Sequence, residues 1–109
     1  MQRIAKIIQL KPEAIDEYKR IHAEVWPGVL ATIAACHIKN YSIFLREPEN
    51  LLFAYFEYHG TDFEADMAKM AKDETTQRWW QITDPMQASL ESAAEGEWWA
   101  STEMVFHQD

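Results

Sequence analysis

The sequence is short of glycine, cysteine and basic residues, and each shortage excludes a class of protein. Only three glycines occur in 109 residues, and no glycine-rich phosphate-binding loop is present. The single Cys36 cannot form an internal disulfide, which predicts a reducing, cytoplasmic location. Ten Lys and Arg against 18 Asp and Glu give a net charge of -8, which argues against nucleic acid or an anionic membrane surface as a partner.

Long apolar runs and metal-binding motifs are also missing. No stretch of about 20 apolar residues could span a bilayer, and charges interrupt the N-terminus too often for a signal peptide. The four histidines and Cys36 lack the spacing of metal ligands. No signature indicates a nucleophilic serine or an organic cofactor. We therefore expect proton chemistry on a small neutral molecule, with neither metal nor cofactor.

The hydrophobic pattern predicts one domain spanning residues 1–109, because the chain is too short for two good cores. Alternating or β-branched segments predict strands, and apolar residues at three- and four-residue steps predict helices. The expected strands are 2–10, 37–46, 51–58 and 99–107. The expected helices run from Pro12 with a kink or stop near Trp26, from a capping box at 61–64, and from about Thr75 to Ile82. Residues 86–98 are expected to form a loop.

This order of elements is that of a ferredoxin-like α+β fold, an antiparallel sheet with helices on one face. In the second strand, Tyr41, Ile43 and Leu45 are expected on one side of the sheet. Ile38 and Phe44 are expected on the other side. A sheet with two apolar faces and one layer of helices is expected to form a homodimer through its bare face.

His22 is the strongest candidate for proton transfer among the four histidines. It follows Tyr18 by one helical turn, so both side chains project from the same face of the first helix. Imidazole titrates near neutral pH, which suits a general acid or base, and a nearby tyrosine could bind a substrate hydroxyl or orient the ring. The alternative is a buried histidine satisfied within the core. The other three, His37, His59 and His107, are expected at the surface or at strand edges.

Two tryptophan pairs and one strand tyrosine are further candidates. Trp79 and Trp80 point about 100° apart on a helix, so we expect one to pack inward and the other to line a cavity or an interface. An indole covers the C–H side of a sugar ring, although both could instead belong to the core and a dimer interface. No polar partner is expected around Trp98-Trp99, so this pair is predicted to pack or to anchor the terminus. Tyr41 could reach a ligand, but packing is the usual role of a strand tyrosine.

Four short segments resemble, in the same order, segments of the L-rhamnose mutarotases. They are residues 17–27, 40–44, 50–54 and 73–80. The patterns Tyr-x-x-x-His-x-x-x-Trp-Pro, from Tyr18 to Pro27, and Gln-Arg-Trp-Trp, ending at Trp80, are specific in combination. The resemblance extends from Arg3 to about Phe106, nearly the whole chain.

The resemblance implies a dimeric α/β barrel of ferredoxin-like protomers that interconverts the α and β anomers of L-rhamnose. It implies that His22 is the proton donor. The sugar contacts that it implies are Tyr18, Tyr41, Trp79 and Trp80. Two segments depart from the family's pattern: Ala23-Glu24 stands where Asn-Pro or a similar pair is expected, and residues 87–99 are longer and less proline-rich.

Mutarotation needs a proton delivered to the ring oxygen and another removed from the anomeric hydroxyl. We expect His22 to be the general acid. The sequence leaves open whether a second residue transfers a proton, with Glu57 or a tyrosine as the candidates. One competing interpretation is a binding or redox protein of the same fold, of the haem-degrading or cofactor-free monooxygenase type. Another is a non-enzymatic dimerisation module, which predicts a pocket filled by side chains.

Overall fold

The centre of the sheet is the N-terminal strand, and the rest of the chain is arranged around it. The computed structural model describes all 109 residues. The strands are β1 (Gln2–Leu10), β2 (Ile38–Arg46), β3 (Leu51–Tyr58), β4 (Gln87–Ala88) and β5 (Ala100–Ser101). The helices are α1 (Ile15–His22), α2 (Pro27–Ala35), α3 (Phe63–Lys72) and α4 (Glu74–Thr83). None of these helices has the length and apolar character needed to cross a membrane.

The sheet has the order β2-β3-β1-β4, and its pairings are all antiparallel. β1 pairs with β3 over most of its length, and Ile8 lies opposite Leu52. The predicted ferredoxin-like α+β arrangement is therefore confirmed. The first three predicted strands match the observed ones to within one residue at each end.

The core lies between the helices and the sheet face that they cover. One buried cluster contains Ile8, Leu10, Tyr18 and Leu52, so β1 and β3 pack directly against α1. A second cluster centres on Phe56, packed against residues of α2 and α3. Because α1 is anchored through Tyr18, the residues one turn further along the helix are held close to the sheet.

A bulge in β2 changes which residues face the helices. The pairing register shifts between Lys39 and Ser42, and Asn40 takes a positive φ of 51°. Ile38 consequently faces the helices and is buried in the second cluster. The prediction that Ile38 shares a side with Phe44 is wrong, because simple alternation holds only on one side of an inserted residue.

The fourth strand is much shorter than the predicted strand over residues 99–107. The edge of β1 pairs with two separate dipeptides, β4 beside Gln9 and Leu10 and β5 beside Lys6 and Ile7. Residues 102–109 have no regular secondary structure. The segment 89–99 leaves the sheet and returns to it, which places its tryptophans beside the site described below.

The helix ends follow from local chemistry, with one correction. The carboxylate of Asp62, not the hydroxyl of Thr61, caps α3 by accepting from the Ala65 N–H at 3.1 Å. The Asp73 side chain caps α4 in the same way. Pro27 begins α2 as a separate helix, so the predicted break before Pro27 is confirmed, although α1 already ends at His22.

Candidate active site

A cavity of about 350 Å³ lies between the sheet and the helices α1 and α4, a volume that suits a small-molecule ligand. It is lined by Tyr18, His22, Tyr41, Ile43, Trp79, Trp80, Thr83, Asp84, Gln87, Trp98 and Trp99. All five site residues predicted from the sequence are in this set. An open cavity beside His22 contradicts the interpretation as a dimerisation module with a filled pocket.

Two groups of lining residues come from different parts of the chain. We call Tyr18, His22, Trp79 and Trp80, which come from α1 and α4, the helical wall. We call Asp84, Gln87, Trp98 and Trp99, which come from the end of α4 and the interrupted edge strand, the edge wall. The sequence predicted every member of the helical wall and no member of the edge wall.

The ring of His22 is held in one tautomer by the helix that carries it. Its Nδ1 lies 2.7 Å from the carbonyl oxygen of Tyr18, one turn earlier. A carbonyl oxygen only accepts hydrogen bonds, so Nδ1 carries the proton and donates it. In the neutral ring, Nε2 therefore holds a lone pair and no proton.

Aromatic neighbours fix the plane of the His22 ring. Tyr18 stacks on it at a centroid distance of 4.0 Å, and Trp79 meets it edge-on at 5.3 Å. Trp79 in turn contacts Trp26 edge-on at 5.1 Å. Two aromatic rings therefore contact the imidazole, and no carboxylate forms an ion pair with it.

Burial sets the charge of His22. Partial burial lowers its pKa, and this outweighs the hydrogen bond to the Tyr18 carbonyl, which raises it. At neutral pH the imidazole is therefore uncharged. With its tautomer fixed, His22 presents Nε2 as a hydrogen-bond acceptor and a proton acceptor.

Tyr18 is buried, and its hydroxyl is a weak acid. Burial raises its pKa to about 12, although a hydrogen bond from Gln87 acts in the opposite direction. The phenol therefore keeps its proton at neutral pH. It can donate a hydrogen bond to a ligand, but it does not readily give up the proton.

The two predicted tryptophans differ in burial, as the helical geometry indicates, yet both line the cavity. Trp79 is 6% exposed and packs against His22 and Trp26, whereas Trp80 is 37% exposed. Tyr41 reaches the same cavity from β2, and burial raises the pKa of its hydroxyl. The cavity therefore combines flat apolar surfaces with two phenolic hydroxyl groups.

The prediction that Trp98-Trp99 has no polar partners and serves for packing is wrong for Trp98. It is confirmed for Trp99, which packs against the first core cluster. The indole Nε1–H of Trp98 donates to Oε1 of Gln87 at 2.9 Å, and Gln87 Nε2 lies 3.4 Å from the hydroxyl oxygen of Tyr18. Gln87 is 4% exposed and is held in β4. The low β-propensity of residues 86–98 hid this role, because short pairing beside β1 is fixed by tertiary contacts.

Asp84 is the one carboxylate among the lining residues, and no Lys or Arg lines the cavity. It follows Trp80 by four residues, and its backbone N–H bonds to the Trp80 carbonyl. That spacing is a sequence signal that could have revealed it. The residue is exposed, but partial burial of its carboxyl raises the pKa.

Glu57, expected as one option for the second proton-transfer group, lies outside the cavity. Its carboxylate accepts hydrogen bonds from Asn40 and Tyr55 and contacts His59, which together lower its pKa to about 2. Its hydrogen-bonding capacity is used within the sheet. His37 likewise pairs with Asp66, outside the cavity.

A second, more apolar chamber adjoins the first. Its volume is about 400 Å³, and both chambers share His22, Tyr41, Trp79 and Trp80 among their lining residues. The aliphatic side chains of α2 form its far side. No group of three or more His, Cys, Asp or Glu side chains is arranged to hold a metal ion.

Comparison with known proteins gives a consistent result. A model of the L-rhamnose mutarotase family matches residues 3–108. The L-rhamnose mutarotase of Listeria monocytogenes is 39% identical over 89 residues, which cover 82% of this chain and 83% of that protein. The L-rhamnose mutarotase of Oceanobacillus iheyensis is 33% identical over 111 aligned positions that cover 100% of both chains.

A solved structure agrees at the level of the fold. The crystal structure of an L-rhamnose mutarotase from Formosa agariphila superposes with a TM-score of 0.80 and covers 100% of both chains. Its sequence is 23% identical to this one. At that identity, the similarity shows a shared fold.

Proposed function

The chain belongs to the L-rhamnose mutarotase family, and we propose that it interconverts the α and β anomers of L-rhamnose in the cavity beside His22. The observation that carries this proposal is the fixed tautomer of His22, whose free Nε2 belongs to a ring that borders a sugar-sized cavity. The family match gives no support to the haem-degrading or monooxygenase alternative. The chain is accordingly an isomerase acting on a carbohydrate.

His22 can move the proton that mutarotation requires without a second catalytic residue. Neutral Nε2 takes the proton of the anomeric hydroxyl, and the resulting imidazolium delivers it to the ring oxygen bonded to the same carbon. The bond between that carbon and the ring oxygen breaks, and the electrons left on the anomeric oxygen form the aldehyde. Rotation of the aldehyde followed by the reverse steps gives the other anomer.

This route keeps the predicted role of His22 as proton donor to the ring oxygen and adds an earlier step. The lowered pKa of His22 makes its imidazolium a stronger acid, so the proton is readily returned to the sugar. Tyr18 and Tyr41 bind hydroxyl groups of the sugar. They keep their own protons, because burial raises the pKa of both phenols.

The shape of the site suits a deoxysugar. Trp79 and Trp80 offer flat surfaces to the C–H side of the ring. The adjoining chamber, with the aliphatic residues of α2, offers an apolar place for the methyl group of L-rhamnose. A sugar with a hydroxymethyl group at that position would have to bury a hydroxyl there without a partner, which is costly.

Saturation-transfer NMR on L-rhamnose tests the activity directly. Irradiating one anomeric proton should reduce the signal of the other once the protein is added. The same experiment with L-fucose and D-glucose measures the preference for the sugar. No added transfer with L-rhamnose would refute the proposed function, and equal transfer with all three sugars would refute the specificity.

We also propose that the protein is a cytoplasmic homodimer that pairs through the sheet face without helices. Phe44 and Phe53 lie opposite each other on that face and are 64% and 38% exposed. A second copy would cover them and complete a two-sheet core. The buried, unpaired thiol of Cys36 suits a reducing compartment.

Light scattering during gel filtration tests the dimer. The chain should elute with twice its monomer mass, and Phe44→Glu should shift it toward the monomer. Phe63→Glu is unsuitable as a control because Phe63 packs in the core. Ala68→Glu makes the same change of charge at an exposed position of α3, on the helix-covered side of the sheet, and provides the matched control. A monomeric wild-type chain would refute the proposal.

A further inference from the structure

We propose that Gln87 is a positioning residue, locked by Trp98, that makes the Tyr18 hydroxyl a hydrogen-bond donor toward the sugar. This inference rests on the proposed function and adds two residues, Gln87 and Trp98, that lie outside the four segments resembling the family. It starts from two groups that can each play a single hydrogen-bonding role, the indole N–H of Trp98 and the backbone carbonyl of Tyr18. The indole fixes the direction of the hydrogen bonds through Gln87 to the Tyr18 hydroxyl, and the carbonyl fixes the direction of the hydrogen bond from His22.

The first fixed group is the indole of Trp98. Its Nε1–H can only donate, so the Gln87 atom 2.9 Å away must be the amide oxygen. The other end of the amide, Nε2, therefore faces Tyr18. An amide nitrogen only donates, so the oxygen of Tyr18 accepts from it at 3.4 Å. This hydrogen bond is longer than usual and therefore weak, so it mainly orients the Tyr18 hydroxyl and adds little to the stability of the site.

The consequence concerns the proton on the Tyr18 hydroxyl. Since the oxygen accepts from Gln87, the O–H is left to donate, and Tyr18 is one of the residues that line the cavity. The second fixed group is the carbonyl of Tyr18, which makes His22 Nδ1 a donor and leaves Nε2 as an acceptor. Tyr18 and His22 therefore present one donor and one acceptor in a defined order.

That order matches the needs of the reaction. His22 Nε2 accepts the anomeric proton, while the Tyr18 O–H donates to a sugar oxygen on which negative charge develops. Stabilising such charge with a preoriented donor is a usual source of catalysis. A glutamine oriented the other way would accept from Tyr18 and turn its proton away from the sugar.

The placement of Gln87 is rigid enough for this role. Its backbone pairs with Leu10 of β1, and its side chain is buried with both polar ends satisfied. Trp98 is held at the other end of the segment 89–99, which returns to the sheet at β5. Ser89 bonds to the carbonyl of Glu97 across this segment, which ties its two ends together.

The titratable groups that face Gln87 and Tyr18 are few. His22 and Tyr41 line the same cavity from α1 and β2, and Asp84 lines it from the end of α4. No Lys or Arg lines the cavity to compensate a new negative charge at position 87. The substitution Gln87→Glu therefore changes the hydrogen-bonding direction in a setting where no cation would mask the effect.

The test compares two substitutions at this position. Gln87→Glu keeps the shape, but the new carboxylate only accepts, so it bonds to both Trp98 and Tyr18 and draws the Tyr18 proton away from the sugar. We expect kcat for anomer exchange to fall about tenfold or more, the worth of one oriented hydrogen bond. Gln87→Met removes the amide and leaves Tyr18 free to rotate, so the loss should be about threefold.

Tyr18→Phe separates a positioning role from a structural one. In that background the hydroxyl is gone, so Gln87→Glu should change kcat by less than about twofold. Gln81→Glu is the matched control, because it adds the same charge at an exposed position of α4 outside the cavity. Trp98→Phe should lower kcat by an amount between those of the two Gln87 variants.

Three outcomes distinguish the possibilities. A tenfold effect of Gln87→Glu that disappears in the Tyr18→Phe background supports the inference. An equal effect in both backgrounds, with the wild-type chain active, would overturn it while leaving the proposed function intact. A wild-type chain that neither exchanges nor binds L-rhamnose would overturn both.

Discussion

The two walls of the cavity differ in how they are built and in what they offer a ligand. The helical wall is anchored by packed aromatic rings, with Tyr18 and Trp79 buried and His22 held between them. The edge wall stands on two short strands and the segment between them, and its Trp98 and Asp84 are exposed. In the proposed mechanism the first wall places the proton-transfer group, and the second supplies polar contacts around the sugar.

Because of this difference, we expect the two walls to affect different kinetic parameters, kcat and KM. A residue that exchanges a proton with the sugar acts mainly in the transition state, so its loss lowers kcat. A residue that binds a hydroxyl equally in the ground and transition states changes KM. We therefore expect substitutions of the helical wall to act on kcat and substitutions of the exposed Asp84 to act on KM. Trp98 is expected to act on kcat, because it orients Gln87. Gln87 is the link between the walls, because it acts through Tyr18.

The largest effect is expected from His22→Ala. Without the imidazole the group proposed to carry the anomeric proton is gone, so kcat should fall about 10²- to 10⁴-fold, the usual contribution of a general acid or base. Saturation-transfer NMR measures the exchange. His59→Ala is the control, since His59 contacts Glu57 outside the cavity. An exchange rate unchanged by His22→Ala would remove His22 from the mechanism.

The pH dependence should show that the neutral form of His22 starts the reaction. After subtraction of spontaneous exchange, kcat should be flat from about pH 7 to 9 and fall about tenfold per unit once the pH is below the pKa of His22. That pKa lies below its ordinary value of 6.5. If the imidazolium had to start the reaction, the rate would instead fall as the pH rises above this value.

The same shift has a consequence for stability, and its sign can be worked out. The folded-state pKa of His22 is lower than the unfolded value, so protonation favours the unfolded chain. The contribution of the neutral His22 ring to the free energy of unfolding is complete above about pH 6.5. It is lost as the pH falls through the folded-state pKa of His22. In denaturant titrations, His22→Ala should reduce this loss of stability between about pH 6.5 and 5.

The two walls also differ in how far the sequence predicts them. Tyr18, His22 and the Trp79-Trp80 pair lie in regular helices, where side-chain direction follows from residue spacing, so their shared face is predictable. Trp98 and Gln87 meet because β4 and β5 both pair with β1, a contact between distant parts of the chain. Local composition carries no signal for that contact. The bulge between Lys39 and Ser42 also escaped prediction, because local composition carries no signal for the position of an inserted residue in a strand.

The smallest effect is expected from Asp84→Asn, which tests the edge wall alone. Its carboxylate makes no hydrogen bond or ion pair within the chain and borders the cavity, so it is free to accept from a sugar hydroxyl. Replacing it with an amide keeps the shape and a neutral acceptor, while solvent weakens the lost charge at this exposed position. KM should rise a few-fold, about twofold to fivefold, with kcat nearly unchanged.

Glu95→Gln is the matched control for Asp84→Asn, because it removes one negative charge from an exposed position of the segment 89–99 outside the cavity. It should leave both KM and kcat as they are. A large fall in kcat for Asp84→Asn would instead mean that the carboxylate exchanges a proton with the sugar. The division between a wall for chemistry and a wall for binding would then fail, and His22 and Asp84 would have to act as a pair across the cavity.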